Sequence, residues 1–394
     1  MSVSIWMDKS RDKKTIEQDI VIIGGGIAGL SAAYWLQKED PTMRIALVEK
    51  YQLGDGATGR NAGFITCGSV EHFNRLVGKH GEDEAKEIWN YSEVNLQLLK
   101  DEIIQNREKE MLFEHKGSFS LASTPEEFQE LKNSASIMEK MGINVDIIDE
   151  AGIKSRLGAD QFVGGIKYVG DASIHPLHML SEIRDKIEKT KNEVTFYENH
   201  EVFALDESGG DKVVRTKQNT FKAPIVVFAT NGYGPQLHPF FEDKIFPTRG
   251  QILATEPVER FMEAPCYANF VLDYFRQLPT GEMVIGGFRQ LQKDAEIGYS
   301  DETSAVIQSA LEDFLHQHIP AIRKAKITHR WSGIMGFSVD GQPMVGALPT
   351  DPQCFFLGGF TAHGLGLAFH SGKVLTDSMF DRKIPNFITA KRFS

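Results

Sequence analysis

Gly24-Gly25-Gly26-Ile27-Ala28-Gly29 satisfies G-x-G-x-x-G, and Glu49 follows 20 residues after Gly29. Gly24 permits a tight turn, Gly26 lets the backbone approach a pyrophosphate, and Gly29 lets a helix pack close to the preceding strand. Ile27 and Ala28 open that helix, whose N-terminal N–H groups attract anionic oxygens. Glu49, with Lys50 beside it, closes a second strand, where a carboxylate accepts both ribose hydroxyls and disfavours the 2′-phosphate of NADP. A glycine turn in an ordinary α/β protein is the competing reading, and it does not account for strand, helix and acid together.

Two further segments choose between NAD and FAD. Gly56-Ala57-Thr58-Gly59-Arg60-Asn61-Ala62-Gly63 is small enough to lie against an isoalloxazine edge or a pyrophosphate. Thr58, Gly59, Arg60, Asn61, Ala62 and Gly63 are therefore candidate cofactor contacts, with Arg60 and Asn61 as donors. A flexible surface loop is the alternative. Phe356 to Gly366 reads as a strand running into a helix at His363, Gly364, Leu365 and Gly366. A flavin reduced by two electrons carries negative charge near N1 and the C2 carbonyl, which a helix N-terminus stabilises. An NAD enzyme has no need of this, so the expected cofactor is FAD. His363 either steadies that charge or serves only the helix start.

The elements that must position these residues follow from periodicity. Asp19 to Ile23 is a β-branched run ending in glycines, Ile27 to Gln37 has helical spacing, and Arg44 to Glu49 is a second buried strand, giving βαβ. Residues 70–110 read as long helices. Pro125 to Met141 and Ser304 to His318 are further helices, and a helix begins near His175 and runs to Lys189. Strands are expected at 113–121, 145–148, 194–197, 202–205, 212–216, 223–229 and 355–357, with several more over 245–289. The first 18 residues are charged, lack an apolar secretion signal and are expected to form a mobile extension.

Composition narrows the function classes. At 394 residues two interleaved domains are expected. A net charge of −11 repels a phosphate backbone, which argues against a nucleic-acid partner. No apolar run approaches the roughly 20 residues that span a bilayer. Cys67, Cys266 and Cys354 are widely spaced without C-x-x-C, which argues against a disulfide framework and favours a reducing cytoplasm. His72, His80 and His178 have no partner at metal-ligand spacing, so no metal is expected. Tyr267, Tyr274, Phe275, Phe288, Trp331 and Phe337 are candidates for an aromatic substrate cage, against the commoner fate of aromatics as core.

The order of these segments resembles the FAD-dependent D-amino-acid oxidase superfamily, in the branch of glycine oxidase, monomeric sarcosine oxidase and gamma-glutamylputrescine oxidase. The matching pieces are the glycine fingerprint, Gly56 to Gly63, His175-Pro176-Leu177, Ala229-Thr230-Asn231-Gly232-Tyr233, Pro247 to Gln251, Trp331-Ser332-Gly333, Asp340 to Pro343, and Gly359 to Gly366. The resemblance implies an α/β fold: a Rossmann-like FAD-binding domain of glutathione-reductase type with an interleaved α+β substrate domain on a mixed antiparallel sheet. Expected boundaries are 19–75, 150–235 and 330–385 for the FAD domain and 76–149 and 236–329 for the substrate domain, with the active site at their interface. Val202, Ala229, Thr230, Asn231 and Gly333 join the expected cofactor contacts. The implied reaction is oxidation of a C–N bond of an amine or amino acid by hydride transfer to flavin N5, with hydrolysis of the imine.

The sequence departs from that pattern at the substrate. Where glycine oxidase resemblance places a carboxylate-binding arginine stands Met335, and where sarcosine oxidase resemblance places a lysine stands Gly366. Either the substrate lacks an α-carboxylate, or Arg249, Arg276, Arg289 or Arg330 takes the role. His363, Arg289 and Arg249 are the expected catalytic-site residues. Val284 occupies the position of the lysine that promotes reoxidation by oxygen, so a dehydrogenase using another acceptor, or a non-catalytic flavin-holding sensor or subunit, stands beside the oxidase reading. Covalent attachment is not expected, because the corresponding cysteine falls near Gly333.

Overall fold

The computed structural model describes residues 4–6, 14–190, 193–269 and 272–393. The chain divides into two units, one of Met1–Gly59, Pro176–Thr248 and Met335–Ser394, the other of Arg60–His175 and Arg249–Ile334.

The first unit is built on a six-stranded sheet in the order Met344–Leu348, Asp351–Gly358, Ile225–Phe228, Ile20–Ile23, Ile45–Val48 and Val194–Tyr197. All neighbours are parallel except the first pair. Every residue of Ile20–Ile23 and Ile45–Val48 is buried, which explains why these strands read as unbroken apolar runs rather than alternating ones. The helices Ile27–Glu39 and Gly364–Met379 each follow a strand of this sheet and pack on one another. Gly372 allows the close approach: an added Cβ would lie 2.7 Å from Ser31. Trp35 Nε1 donates to the Phe369 carbonyl across the same contact at 3.0 Å.

A second sheet of the unit runs Lys14–Glu17, Asn219–Ala223, Asp211–Thr216 and Val202–Ser208. Lys14–Glu17 is thus an ordered edge strand, parallel to Asn219–Ala223, where a mobile extension was expected; residues 1–3 and 7–13 of that extension lie outside the described residues. The pairing satisfies its backbone although its side chains are mostly exposed, so hydropathy carried no signal.

The second unit holds an eight-stranded mixed sheet in the order Ile327–Ser338, Ile245–Thr255, Met283–Gly286, Asp273–Gln277, Cys266–Ala268, Ser118–Ala122, Gly164–Tyr168 and Val145–Asp149. Alternation divides its middle strands cleanly. Leu253, Ile285 and Phe275 enter a core with Phe119, Leu311 and Phe314. Ile252, Ala254 and Val284 form a separate cluster with Ala62, packed by Phe64, Tyr274 and Trp331.

Four stretches group differently from the sequence expectation, residues 330–334 among them falling with the second unit. Residues 60–75 and 150–175 belong with the second unit, because Phe64–Ile65 pairs with Ala172–Ser173 and Gly164–Tyr168 pairs with Ser118–Ala122. Residues 236–248 belong with the first, whose core takes Phe240, Phe241 and Ile245. No helix among the described residues is long and apolar enough to cross a membrane. All three cysteines are buried and free.

Candidate functional site

In the first unit the glycine turn joins Ile20–Ile23 to Ile27–Glu39 with φ of +113° at Gly24, a conformation that favours glycine. A Cβ on Gly24 would meet the Ala229 carbonyl at 2.6 Å, and one on Gly29 would lie 1.9 Å from the Gly24 carbonyl. The turn is therefore closed on both sides by backbone. Glu49 lies just beyond its strand and reaches back: its Oε2 accepts the Gly25 N–H at 2.6 Å and its Oε1 accepts the Tyr51 N–H at 2.9 Å. Burial raises its pKa, opposed by those N–H donors. A carboxylate held beside the turn, with lone pairs beyond the two in use, is an acceptor suited to ribose hydroxyls.

Thr58 acts on the same helix from a distant part of the chain. Its Oγ1 accepts the Ile27 N–H at 2.9 Å and would lie 2.8 Å from a Cβ on Gly26. Gly26 itself provides no side-chain cap. The helix start is thus narrowed by one hydroxyl and carries no acidic residue in its first turn. At the end of Ile225–Phe228, Ala229 and Thr230 border Gly24, and the Thr230 Oγ1 is buried with no hydrogen-bond partner among the described residues. An orphaned buried hydroxyl beside a glycine cradle is the feature expected where a polar cofactor sits. The residues fit FAD on this observation.

The second helix start, at Gly364, Leu365 and Gly366, is also uncapped by a side chain at His363. Desolvation pulls the His363 pKa down to about 4, partly opposed by a hydrogen bond with the Thr361 backbone. A ring with so low a pKa is neutral near pH 7, so its contribution at this helix start is a hydrogen bond rather than a positive charge. Asn231 is held at φ +44° and its Oδ1 accepts the Gly359 N–H at 3.0 Å, so its side chain clamps the strand end.

Lys50 and Val202 lie beyond the turn, next to Glu49 and Glu201 in the chain. Lys50 pairs with Glu201 at 2.9 Å and lies over the Tyr51 ring. Val202 begins a strand of the four-stranded sheet.

In the second unit Arg60 donates to the Ser332 carbonyl at 3.1 Å, and Trp331 Nε1 donates to the Arg60 carbonyl at 3.0 Å. A Cβ on Gly333 would lie 2.9 Å from the Arg60 side chain, so this glycine admits the arginine stem. The Asn61 Oδ1 accepts the Gly63 N–H at 2.7 Å. The Arg60-Asn61 loop is thus braced on the strand Ile327–Ser338, with Ala62 buried.

The candidate arginines differ sharply. Arg249 is buried against the equally buried Glu296, with Nη2 to Oε1 at 2.6 Å and Nε to Oε2 at 2.9 Å. That bidentate pair raises its pKa and leaves no net charge for a ligand, which weighs against the catalytic-site expectation. Arg330 pairs with Glu312. Arg289 opens a short turn after Phe288, and burial lowers its pKa, opposed by the Tyr274 phenol. Arg276 is 2% exposed and has no carboxylate at ion-pair distance among the described residues.

The aromatic residues also separate. Phe275 is core, and Phe288 packs against it with Phe314 at 5.6 Å, which removes both from the expected cage. Tyr267 and Tyr274 face each other across paired strands, and Phe64 meets both rings edge-on at 5.4 and 5.8 Å. His238, Asp351 and Cys354 bring three potential metal-ligand atoms within 4.8 Å of one another, but Lys212 already pairs with Asp351 at 2.7 Å.

The model of the FAD dependent oxidoreductase family matches residues 19–378. A probable oxidoreductase OrdL of Haemophilus influenzae is 25% identical over 92% of this chain and 82% of its own length. The gamma-glutamylputrescine oxidoreductase of Escherichia coli is 22% identical over 92% of this chain and 84% of its own. Among solved structures, glycine oxidase from Geobacillus kaustophilus superposes with a TM-score of 0.80 at 20% identity, covering 94% of this chain and 96% of that one. L-proline dehydrogenase from P. horikoshii superposes at 0.81 and 20% identity, covering 96% and 98%.

Proposed function

The chain belongs to the FAD dependent oxidoreductase family, and from that premise we propose that it oxidises the C–N bond of a primary or secondary amine or of an amino acid. The observation that carries the cofactor side is the glycine cradle with its orphaned Thr230 hydroxyl and the Glu49 carboxylate tied to Gly25. The substrate class is supported by the relatives, whose names include gamma-glutamylputrescine oxidoreductase and glycine oxidase.

FAD, which the Gly24–Gly29 turn, Glu49 and Thr230 would hold, would supply a two-electron acceptor for the hydride on the carbon that bears nitrogen. Water then adds to the imine, releasing a carbonyl compound and ammonia or an amine. The chain's residues have positioning work to do. Glu49 and the turn at Gly24 hold the nucleotide end, and the neutral His363 offers a hydrogen bond at the second helix start. Tyr267 and Tyr274 keep their protons, since burial raises both phenols above their ordinary range. They offer O–H donors on an apolar face.

A second reading concerns the electron acceptor. Val284 is buried among Ala62, Ile252 and Ala254, an apolar side chain where the family resemblance places a lysine. This favours an acceptor other than oxygen, such as a quinone or a partner protein.

Incubation of the FAD-loaded protein with a panel of amines and amino acids, with and without an artificial electron acceptor, tests both readings. The proposal expects a carbonyl product and released ammonia or amine in equal amounts. Turnover only with the added acceptor supports the second reading, turnover with oxygen alone excludes it, and no product from any compound leaves a flavin-holding protein without this chemistry.

A further inference from the structure

Arg276 sits on the strand Asp273–Gln277, directly opposite Val284, which is itself opposite Ala254. The three therefore share a face of the sheet, with Tyr274 two residues along on the same side. That face is the apolar and aromatic one, where Ala62, Phe64, Ile252 and Trp331 pack. A guanidinium there is out of character with its surroundings.

Its bonding is incomplete as well. Nη1 donates to the Gly63 carbonyl at 2.9 Å, while Nε is buried with no hydrogen-bond partner among the described residues. The acid that most influences it, Glu114, is already held by Arg260 at 2.8 and 3.1 Å and by Lys116 at 2.8 Å. Burial lowers the Arg276 pKa to about 10, the direction expected of a cation short of counter-charge. Arg156 and Arg249 in the same unit each have a bidentate carboxylate. A fork of five donors that has, among the described residues, one carbonyl acceptor and no carboxylate is arranged for an oxyanion from outside the chain.

The loop beneath it is shaped for the same end. Gly63 has φ of +80°, and a Cβ there would lie 2.2 Å from the Ile174 carbonyl and 3.0 Å from Arg276 Nη1. Glycine thus presents its carbonyl to one edge of the guanidinium and fixes the plane of the fork.

We propose that Arg276 is the anion anchor of this protein, receiving the carboxylate of the substrate, so that the amine oxidised is an amino acid or another carboxylate-bearing amine. This rests on the C–N oxidation reading above and assigns the anchor to a strand position distinct from Met335 and Gly366, where neither expected cation is present.

The test is calorimetric titration of the FAD-loaded protein with benzoate, a carboxylate without an amine, in parallel with kcat/KM for an amino acid and for its decarboxylated amine. The expected results are benzoate binding that weakens by roughly 100-fold in Arg276→Met and by about tenfold in Arg276→Lys. The preference for the amino acid should collapse in Arg276→Met while the decarboxylated amine loses little. A residue that merely pins Gly63 would instead lower thermal stability and impair both substrates equally, and that outcome overturns the proposal, as does unaltered benzoate binding in Arg276→Lys and Arg276→Met. Absence of benzoate binding to the wild-type protein also overturns it. Calorimetry reads binding without turnover, so failure of amine oxidation is separable from failure of the anchor.

Discussion

The Gly25 N–H donates to the Glu49 carboxylate at 2.6 Å, tying the acid beyond one parallel strand to the turn that ends its neighbour. On the proposed reading, the acid that receives the ribose also orders the turn that receives the pyrophosphate. Glu49→Ala leaves the Gly25 donor bare, which costs about 1–3 kcal/mol, and removes the ribose acceptor. The expectation is FAD affinity reduced at least about tenfold, with a lower melting temperature for the apoprotein. Equilibrium dialysis and thermal unfolding measure the two effects, and wild-type values for both would refute the dual role.

The glycines of the cradle are not equivalent. A Cβ on Gly29 meets the Gly24 carbonyl at 1.9 Å, whereas one on Gly56 meets nothing within 4 Å. Gly29→Ala should abolish FAD retention or folding, and Gly56→Ala should shift stability by less than about 0.5 kcal/mol. Finding the two variants equally stable would contradict the packing described.

Asp171 accepts the Ser118 hydroxyl at 2.6 Å in a fully buried setting, and desolvation raises its pKa to about 7. Its folded pKa lies above its unfolded one, so the folded state holds the proton more tightly. Stability is greatest below about pH 4 as far as this group is concerned, and declines as pH rises from there to about 7. Asp171→Asn should flatten that slope and stabilise the protein at pH 8 by up to ~4 kcal/mol. Chemical denaturation across pH 4 to 8 checks it; an unchanged slope in the variant argues against the shift.

His363, pulled down to about 4, should show no ionisation between pH 5 and 8. Its stabilising effect is present above the ordinary histidine pKa and is lost as pH falls through about 4. The imidazole resonances of His363, assigned by comparison with His363→Gln, should not move above pH 5. A midpoint near 6.5 would contradict the lowered pKa.

The nucleotide-binding features were legible because each is local. The strand, turn and helix from Ile20 to Glu39 are continuous in sequence, and Glu49 follows at fixed spacing. Burial on both faces made their strands conspicuous as apolar runs. The strand Ile327–Ser338 was not visible, since its first half carries exposed His329 and Arg330. The arginines were illegible for a different reason. Whether Arg249 is neutralised depends on Glu296, 47 residues away, and the Gly63 carbonyl under Arg276 is 213 residues away. From sequence Arg289 and Arg249 stand ahead of Arg276 and Arg330, and only the partners show which guanidinium lacks a carboxylate.

The most direct test of C–N oxidation is anaerobic mixing of the FAD-loaded protein with amines and amino acids while following the visible flavin absorbance. The account predicts rapid bleaching by a carboxylate-bearing amine, to completion at one equivalent, with a carbonyl product formed in the same amount. Flavin that stays oxidised with every compound, in protein shown to be folded and fully loaded, would contradict it.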